Sequence, residues 1–388
     1  MLRYISADWI FPVCISPIQN GVIALDRDGI IKQVLTEDEA IALDLDVQKY
    51  KGAIVPGFVN THCHLELSHM LHKIPEHTGL VEFVQQIIKN RQSEADEVLQ
   101  AMQLADTKMA ENGIVAVGDI SNQISSKAIK LSSKIHYHTF VEAMGFNPDR
   151  AEAIMDFAED IKQQFEPLPA SVVPHAPYSV SKPLLQKIAQ AASQRKEILS
   201  IHNQETDDEN DFFLSKTGGF LKLYDFLGLD ISFFSPSGKT SLQTWLPNIP
   251  NQKILMVHNT VTAKQDLEFA AQNKQQLYWC LCPQANLYIE NRLPDVNLMR
   301  AENLKITLGT DSLASNHQLN ILSEMKTLQT HMQIPFVDLL QWATWNGAEF
   351  LEKDDVFGSI EAGKKPGLNL IQLSEDFLIL NDRVEKLS

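Results

Sequence analysis

Four cysteines in 388 residues (Cys14, Cys63, Cys280 and Cys282) are too few and too irregularly spaced for a disulfide framework. Cys280 and Cys282 stand one residue apart in an apolar run, not the two residues of a zinc clip. Positive charge is also scarce. Lys and Arg number 33 against 49 Asp and Glu, a formal net charge of −16. Such a surface repels phosphate, so nucleic acid and anionic membranes are poor partners. No uncharged apolar run reaches the length of a membrane span. The opening MLRYISADWIFPV lacks the basic leader, apolar core and cleavage site of a secretory signal. These absences predict a cytoplasmic protein with reduced thiols that acts on a small molecule. Several motifs are missing too: the GxGxxG dinucleotide fingerprint, the GxxxxGK[ST] phosphate loop, the HExxH of zincins, and the HxE with PCxxC of base-flipping deaminases.

What is present is ordinary in bulk and patterned in detail. Apolar residues make up 44% and charged residues 21%, as in a folded globular chain. The length accommodates one large barrel plus a small accessory domain. Both ends read as short strands between turns: YISADWIFPV, GVIALDRDGIIKQVL and VQKYKGAIVPG at the start, GLNLIQL and DFLIL at the close. The two ends, residues 1–55 and 356–388, are therefore expected to build one small sheet domain. Residues 56–355 follow another rule. Short apolar runs ending in polar residues alternate with helical stretches such as EFVQQIIKNR, KPLLQKIAQAASQRK and AKQDLEFAAQN. Alternation repeated about eight times predicts an α/β fold, a (β/α)8 TIM barrel. The polar residues gather at the carboxyl ends of these runs. In a barrel those ends converge on one face, whereas in an open sheet they spread along an edge. There is no low-complexity tract and no exact repeat.

The chemistry follows from those ends. His62 and His64 in GFVNTHCH lie two apart, so a strand points both imidazoles the same way. His202 ends ILSIH, His258 ends KILMVH and Asp311 ends ITLGTD. A buried strand end is a costly place for an unpartnered imidazole. His62, His64, His202 and Asp311 offer three nitrogens and one carboxylate oxygen. That set suits one divalent metal, Zn²⁺ first and Fe²⁺ second, with a position open for water. A metal lowers the pKa of bound water to about 7. Asp311 or His258 would take the water proton, and Glu205, three residues past His202, would protonate a ring nitrogen or leaving group. His258, if not a ligand, would orient the water.

VPGFVNTHCHLELS, PHAPYSVS, IHNQE, VHNT, CPQANLYI, LGTDSLASN and GSIEAGKKPGLNL together resemble the amidohydrolase superfamily. The closest likeness is to its aminohydrolase branch, which contains adenosine-type, guanine and cytosine deaminases and triazine chlorohydrolases. The resemblance spans almost the whole chain. It implies a barrel with a small β-sandwich from both termini. It also implies His62, His64, His202 and Asp311 as ligands, Glu205 as proton shuttle and His258 beside the nucleophilic water. No lysine ends the PHAPYS run, so one metal is favoured over two, and His175 there is expected to touch substrate. Cys63 stands where threonine is common and reads as a packed small side chain. Members of the branch often form homodimers, although no interface is legible in this chain.

HCHLELS is similar to strings in aminodeoxyfutalosine deaminases of menaquinone synthesis. Two readings of Glu66 stay open: a substrate contact to ribose or base, or a loop carboxylate paired with a cation. Glu142 in FVEAMG is expected to partner a metal-bound histidine. His69, His72 and His77 read as solvated loop residues, with the alternative that one of them lines the pocket. Phe212, Phe213, Phe220 and Tyr224 read as helix or lid packing. The leading expectation is deamination of an adenine-type nucleoside, of the aminodeoxyfutalosine, methylthioadenosine or adenosylhomocysteine class. Guanine or cytosine deamination, or hydrolysis of a triazine or cyclic amide, would use the same metal site. A non-catalytic barrel scaffold predicts missing ligands, and every expected position is filled.

Overall fold

The computed structural model describes residues 2–273 and 276–388; Met1, Lys274 and Gln275 lie outside the described residues. Eight parallel strands carry the large domain. They are β1 (Phe58–Cys63), β2 (Ile114–Ser121), β3 (His136–Ala143), β4 (Ala170–Pro174), β5 (Leu199–Asn203), β6 (Lys253–His258), β7 (Gln276–Leu281) and β8 (Lys305–Leu308). They form two four-stranded sheets, β1-β2-β3-β4 and β5-β6-β7-β8, each pairing sequential neighbours in parallel. β1 and β5 are buried along their whole length. Burial on both faces means that their polar residues, such as Asn60, Thr61, Ser200 and Asn203, are enclosed as well.

Bonds between the ends of the two sheets join them. The His62 carbonyl accepts the amides of Thr310 at 3.0 Å and Asp311 at 3.1 Å, and the His175 carbonyl accepts the His202 amide at 2.9 Å. Gly309 permits the first approach. A Cβ there would stand 2.8 Å from both the Cys280 sulfur and the His62 Cβ. Any side chain would push β1 away from the segment that carries Asp311.

Helices separate the strands as the pattern predicts. Lys182–Arg195 is typical. Ser181 caps it by accepting the Leu184 amide, Pro183 sits in the first turn, and Lys196 ends it in a left-handed conformation. Its buried face is Leu184, Leu185, Ile188, Ala189 and Ala192, at helical spacing. The expected helices at 80–90 and 264–271 are present, and another spans Ala95–Glu111.

The termini form two further sheets. One orders Ile31–Leu35, Val22–Leu25, Arg3–Ser6 and Val47–Lys49. The other orders Glu385–Lys386, Leu368–Ile371, Ala53–Pro56, Trp9–Ile10 and Ile18–Gln19, so it mixes both chain ends. Ile5, Ile10, Ile23, Ile54, Leu368 and Leu370 share one apolar cluster. Two details differ from expectation. DFLIL contributes only a single bridge, Leu373 to Ile379, because Asp376 and Phe377 lie in a turn closed by Ser374. A six-residue helix, Glu37–Ala42, interrupts the first region, nucleated by a capping box between Thr36 and Glu39. Among the described residues, no helix is long and apolar enough to cross a membrane.

Candidate metal centre and active site

The carboxyl ends of β1, β5, β6 and β8 bring the predicted residues together. His62 Nε2 lies 3.1 Å from His64 Nε2, and Asp311 Oδ1 lies 3.5 Å and 3.3 Å from those two nitrogens. A tetrahedral ion with bonds of about 2.0–2.1 Å spaces its ligand atoms by about 3.3 Å. The three measured edges bracket that value. His62, His202 and His258 each offer a nitrogen within 4.8 Å of the others. His202 Nδ1 faces the His175 carbonyl at 2.8 Å, which leaves Nε2 for the cluster. Ser315 Oγ donates to Asp311 Oδ2 at 2.6 Å, which leaves Oδ1 for the ring nitrogens. The donor chemistry therefore fits a divalent metal, with His62 shared by two candidate groups, His62, His64 and Asp311 in one and His62, His202 and His258 in the other.

Burial sets the protonation states. It pushes His64 down to about 3 and His258 down to about 4. His202 is also held well below its ordinary value, by burial first and then by the imidazoles around it. Neutral imidazoles are the form a metal requires. Burial acts to raise Asp311, but the hydrogen bond to His62 and the surrounding imidazoles outweigh it and keep the carboxyl well below the usual range. His62 shows the mirror effect: burial lowers it, and Asp311 more than compensates. Asp311 and His258 both sit at positive φ, +57° and +74°. Such backbone costs energy and clusters where function demands an orientation.

Glu205 stands over this cluster, in the loop between β5 and the helix Asp207–Ser215. Its Oε1 is 3.5 Å from His258 Nε2. Burial, and next the negative charge of Asp311, push its carboxyl well above the ordinary range. A carboxyl that holds its proton more tightly than usual suits a proton shuttle. Sequence reasoning missed the groups that aim these side chains. Asn286 Oδ1 faces His258 Nδ1 at 3.4 Å. Glu209 accepts the Gln204 amide at 2.9 Å and the Glu205 amide at 3.4 Å, clamping the loop. The signal for Glu209 was available: Thr206 and Glu209 have capping-box spacing after IHNQE.

The remaining candidates fall around the rim. His175 Nδ1 pairs with Ser179 Oγ at 2.6 Å, and its ring lies 4.9 Å from that of His202. Glu142 Oε1 is buried without a hydrogen bond and lies 3.5 Å from His202 Nδ1. Glu66 is buried, and its oxygens accept the amides of Asn122 at 3.0 Å and Gln123 at 3.1 Å and the Ser125 hydroxyl at 3.4 Å. Burial pushes its carboxyl up to about 7. Cys63 is fully buried in the main core. His72 and His77 are exposed, but His69 is not: it is 8% exposed and its Nε2 contacts the Arg91 carbonyl at 2.9 Å. The solvated reading fails there because the 3-10 turn Leu65–Met70 folds that face inward. Phe212, Phe213, Phe220 and Tyr224 pack together with Met70, Phe146 and Tyr178, as helix packing predicts.

Comparison with known proteins fits this geometry. The chain belongs to the amidohydrolase family. The family's sequence model matches residues 53–387. Membership makes it a hydrolase acting on carbon–nitrogen bonds. The chain is similar to an adenosine deaminase of Helicobacter pylori, 24% identical over 333 residues that cover 84% of this chain and 80% of the relative. Its fold is that of the Helicobacter pylori aminofutalosine deaminase solved with methylthio-coformycin. That match has a TM-score of 0.83 at 22% identity and covers 97% and 93% of the two chains. The zinc complex of atrazine chlorohydrolase from Arthrobacter aurescens TC1 aligns with a TM-score of 0.77 at 15% identity, covering 98% and 92%.

Proposed function

We propose that this protein is a zinc-dependent hydrolytic deaminase of an adenine-type nucleoside, with aminodeoxyfutalosine as the first substrate to test. The observation that carries the reading is the set of His62, His64 and Asp311 atoms spaced as the edges of a tetrahedral site, with Glu205 protonatable beside it. The relatives' names support the substrate class: an adenosine deaminase and an aminofutalosine deaminase. The reading takes the two parallel sheets as halves of one closed (β/α)8 barrel, supported by the bonds from the His62 and His175 carbonyls. It takes residues 1–55 and 356–388 as a small β-sandwich domain, supported by the cluster that Ile5, Ile54 and Leu368 share.

When bound, the divalent metal supplies the Lewis acidity that makes water a nucleophile at neutral pH. Glu205 gives its proton to the ring nitrogen next to the carbon that bears the amino group. His258, held by Asn286, orients the water beside Glu205. Glu205 then passes one water proton to the amino group, which leaves as ammonia; the second water proton restores the Glu205 acid, and the ring carbon keeps the oxygen as a carbonyl. His175, whose ring lies 4.9 Å from that of His202, contacts the substrate. The His175 carbonyl keeps His202 in the tautomer whose Nε2 faces the cluster, with Glu142 beside the same Nδ1.

The test is a panel of aminodeoxyfutalosine, methylthioadenosine, adenosylhomocysteine, adenosine, guanine and cytosine, incubated with zinc-loaded protein. Ammonia release and the ultraviolet change from adenine to hypoxanthine are followed. Selective turnover of aminodeoxyfutalosine places the reaction in menaquinone synthesis. Silence across the panel overturns the nucleobase reading and sends the search to triazines and cyclic amides.

A further inference from the structure

Lys130 and Asp119 form an ion pair that the catalytic reading leaves unused. Lys130 Nζ lies 2.6 Å from Asp119 Oδ2, and both side chains are fully buried. Lys130 comes from the short helix Lys127–Ser132 and reaches into the strand layer. Its other two donors go to Ser121 Oγ and Thr139 Oγ1, each at 3.0 Å, on β2 and β3. The Phe165 ring lies 4.9 Å from its ammonium. Two charges taken out of water cost several kcal/mol each, and an apolar pair of the same volume is often as stable. Stability alone is thus a weak reason to find this pair here.

The free oxygen of Asp119 supplies another reason. Oδ1 accepts the backbone amide of Leu65 at 2.8 Å. Leu65 directly follows His64, and Cys63 pairs with Asp119 in the sheet register. β1 ends at Cys63, whose last bridge is to Asp311, and the Leu65 amide lies just beyond that bridge, where Asp119 takes it. We propose that the Lys130–Asp119 pair is a positioning device that aims His64 at the metal site. Lys130 fixes one carboxylate oxygen, and the other pins the Leu65 amide and with it the turn that carries His64. The Glu66 carboxylate returns the contact by holding the Asn122 and Gln123 amides just past β2. The loops after β1 and β2 are thereby clasped from both sides.

The inference rests on the proposed metal site, so unaltered protein is titrated with Zn²⁺ first. No binding there defeats the metal reading, not the clasp. The decisive comparison uses two charge-free double variants. Lys130→Met with Asp119→Asn keeps an accepting oxygen for Leu65, and Lys130→Met with Asp119→Leu does not. Groups that orient metal ligands are worth about 10- to 100-fold in metal affinity. The leucine variant should therefore bind Zn²⁺ about tenfold or more weakly, and the asparagine variant should stay near the unaltered protein. Melting of the metal-free forms checks that both are folded. Equal Zn²⁺ affinity in the two overturns the proposal and leaves the pair a structural one. Whatever the variants do, the Leu65 amide of the unaltered metal-free protein should exchange hydrogen slowly. Exchange at the rate of an open loop overturns it as well.

Discussion

Two buried regions lie side by side above the strands, and they are built on opposite principles. In the aromatic cluster the rings of Phe212 and Phe234 stack with centroids 4.4 Å apart, and those of Tyr178 and Phe220 with centroids 4.0 Å apart. Its polar tips are satisfied: the Tyr224 hydroxyl donates to the Tyr178 carbonyl. Burial there removes apolar surface from water and stabilises the fold. In the strand-end cluster His62, His202, His258, Glu205 and Asp311 are just as buried, yet burial drives most of them out of their charged forms. His62 Nδ1 is left without a partner. One region spends sequence on stability and the other spends stability on chemistry. Substitutions in the two should therefore separate metal and activity from folding.

The largest expected effect is His202→Ala, which should abolish zinc binding and turnover together while the metal-free protein still folds. Metal analysis beside activity checks this, and full turnover by metal-free protein would sink the mechanism. Glu205→Gln comes next. It should keep zinc and lower kcat/KM about 100- to 10,000-fold, the usual worth of a positioned acid–base group. Phe212→Ala should do the reverse, costing about 3–5 kcal/mol of stability in denaturant melts while zinc affinity in the folded state holds. If both properties fell together, the two regions would not be separable. Ser315→Ala frees Asp311 Oδ2 and should weaken zinc binding about tenfold with little change in melting.

The smallest effect is in the pH dependence of the metal-free protein. His64 and His258 titrate near 3 and 4 when folded but near 6.5 when unfolded. Between those values the unfolded chain binds more protons, so stability rises with pH there and is lost as pH falls from about 6.5 towards 4. Glu324 has the opposite sign, because burial raises it to about 8. Its contribution is present in acid and is lost as pH rises through 8. Glu66, raised to about 7, has the same sign as Glu324, so between about pH 4.5 and 6.5 the buried carboxyls and histidines oppose one another. From about 6.5 to 8 only the carboxyl contribution is still being lost, so the melting temperature of the metal-free protein should fall there; no fall in that range would mean that burial does not hold Glu324 protonated.

Much of the site was legible because strand period and ligand chemistry are local. His62 and His64 are two apart, and His202, His258 and Asp311 each close an apolar run. The partners that aim these groups were not legible. Asp119 and Glu66 act through backbone amides of residues 54 to 57 positions away, and Asn286 meets His258 across 28 positions. Backbone amides carry no residue identity, so no pattern announces them. Glu66 shows the consequence. The sequence leaves two readings of it open, a substrate contact or a loop carboxylate paired with a cation, and the structure adds that both of its oxygens accept from the loop after β2. The solvated reading of His69 failed for a similar reason, since a short 3-10 turn has no period that tells its inward face.

The amino-acid sequence by itself determined the alternation of strand and helix, the kinds of side chain at the strand ends, and hence the metal chemistry open to them. Those properties depend on residue type and spacing along a few positions. Only the tertiary structure decided which strand ends meet, how closely Gly309 lets β1 approach the Asp311 segment, and which buried charges, such as Lys130, serve the ligands from behind. Those depend on distances between residues far apart in the chain, set by packing that no single segment contains.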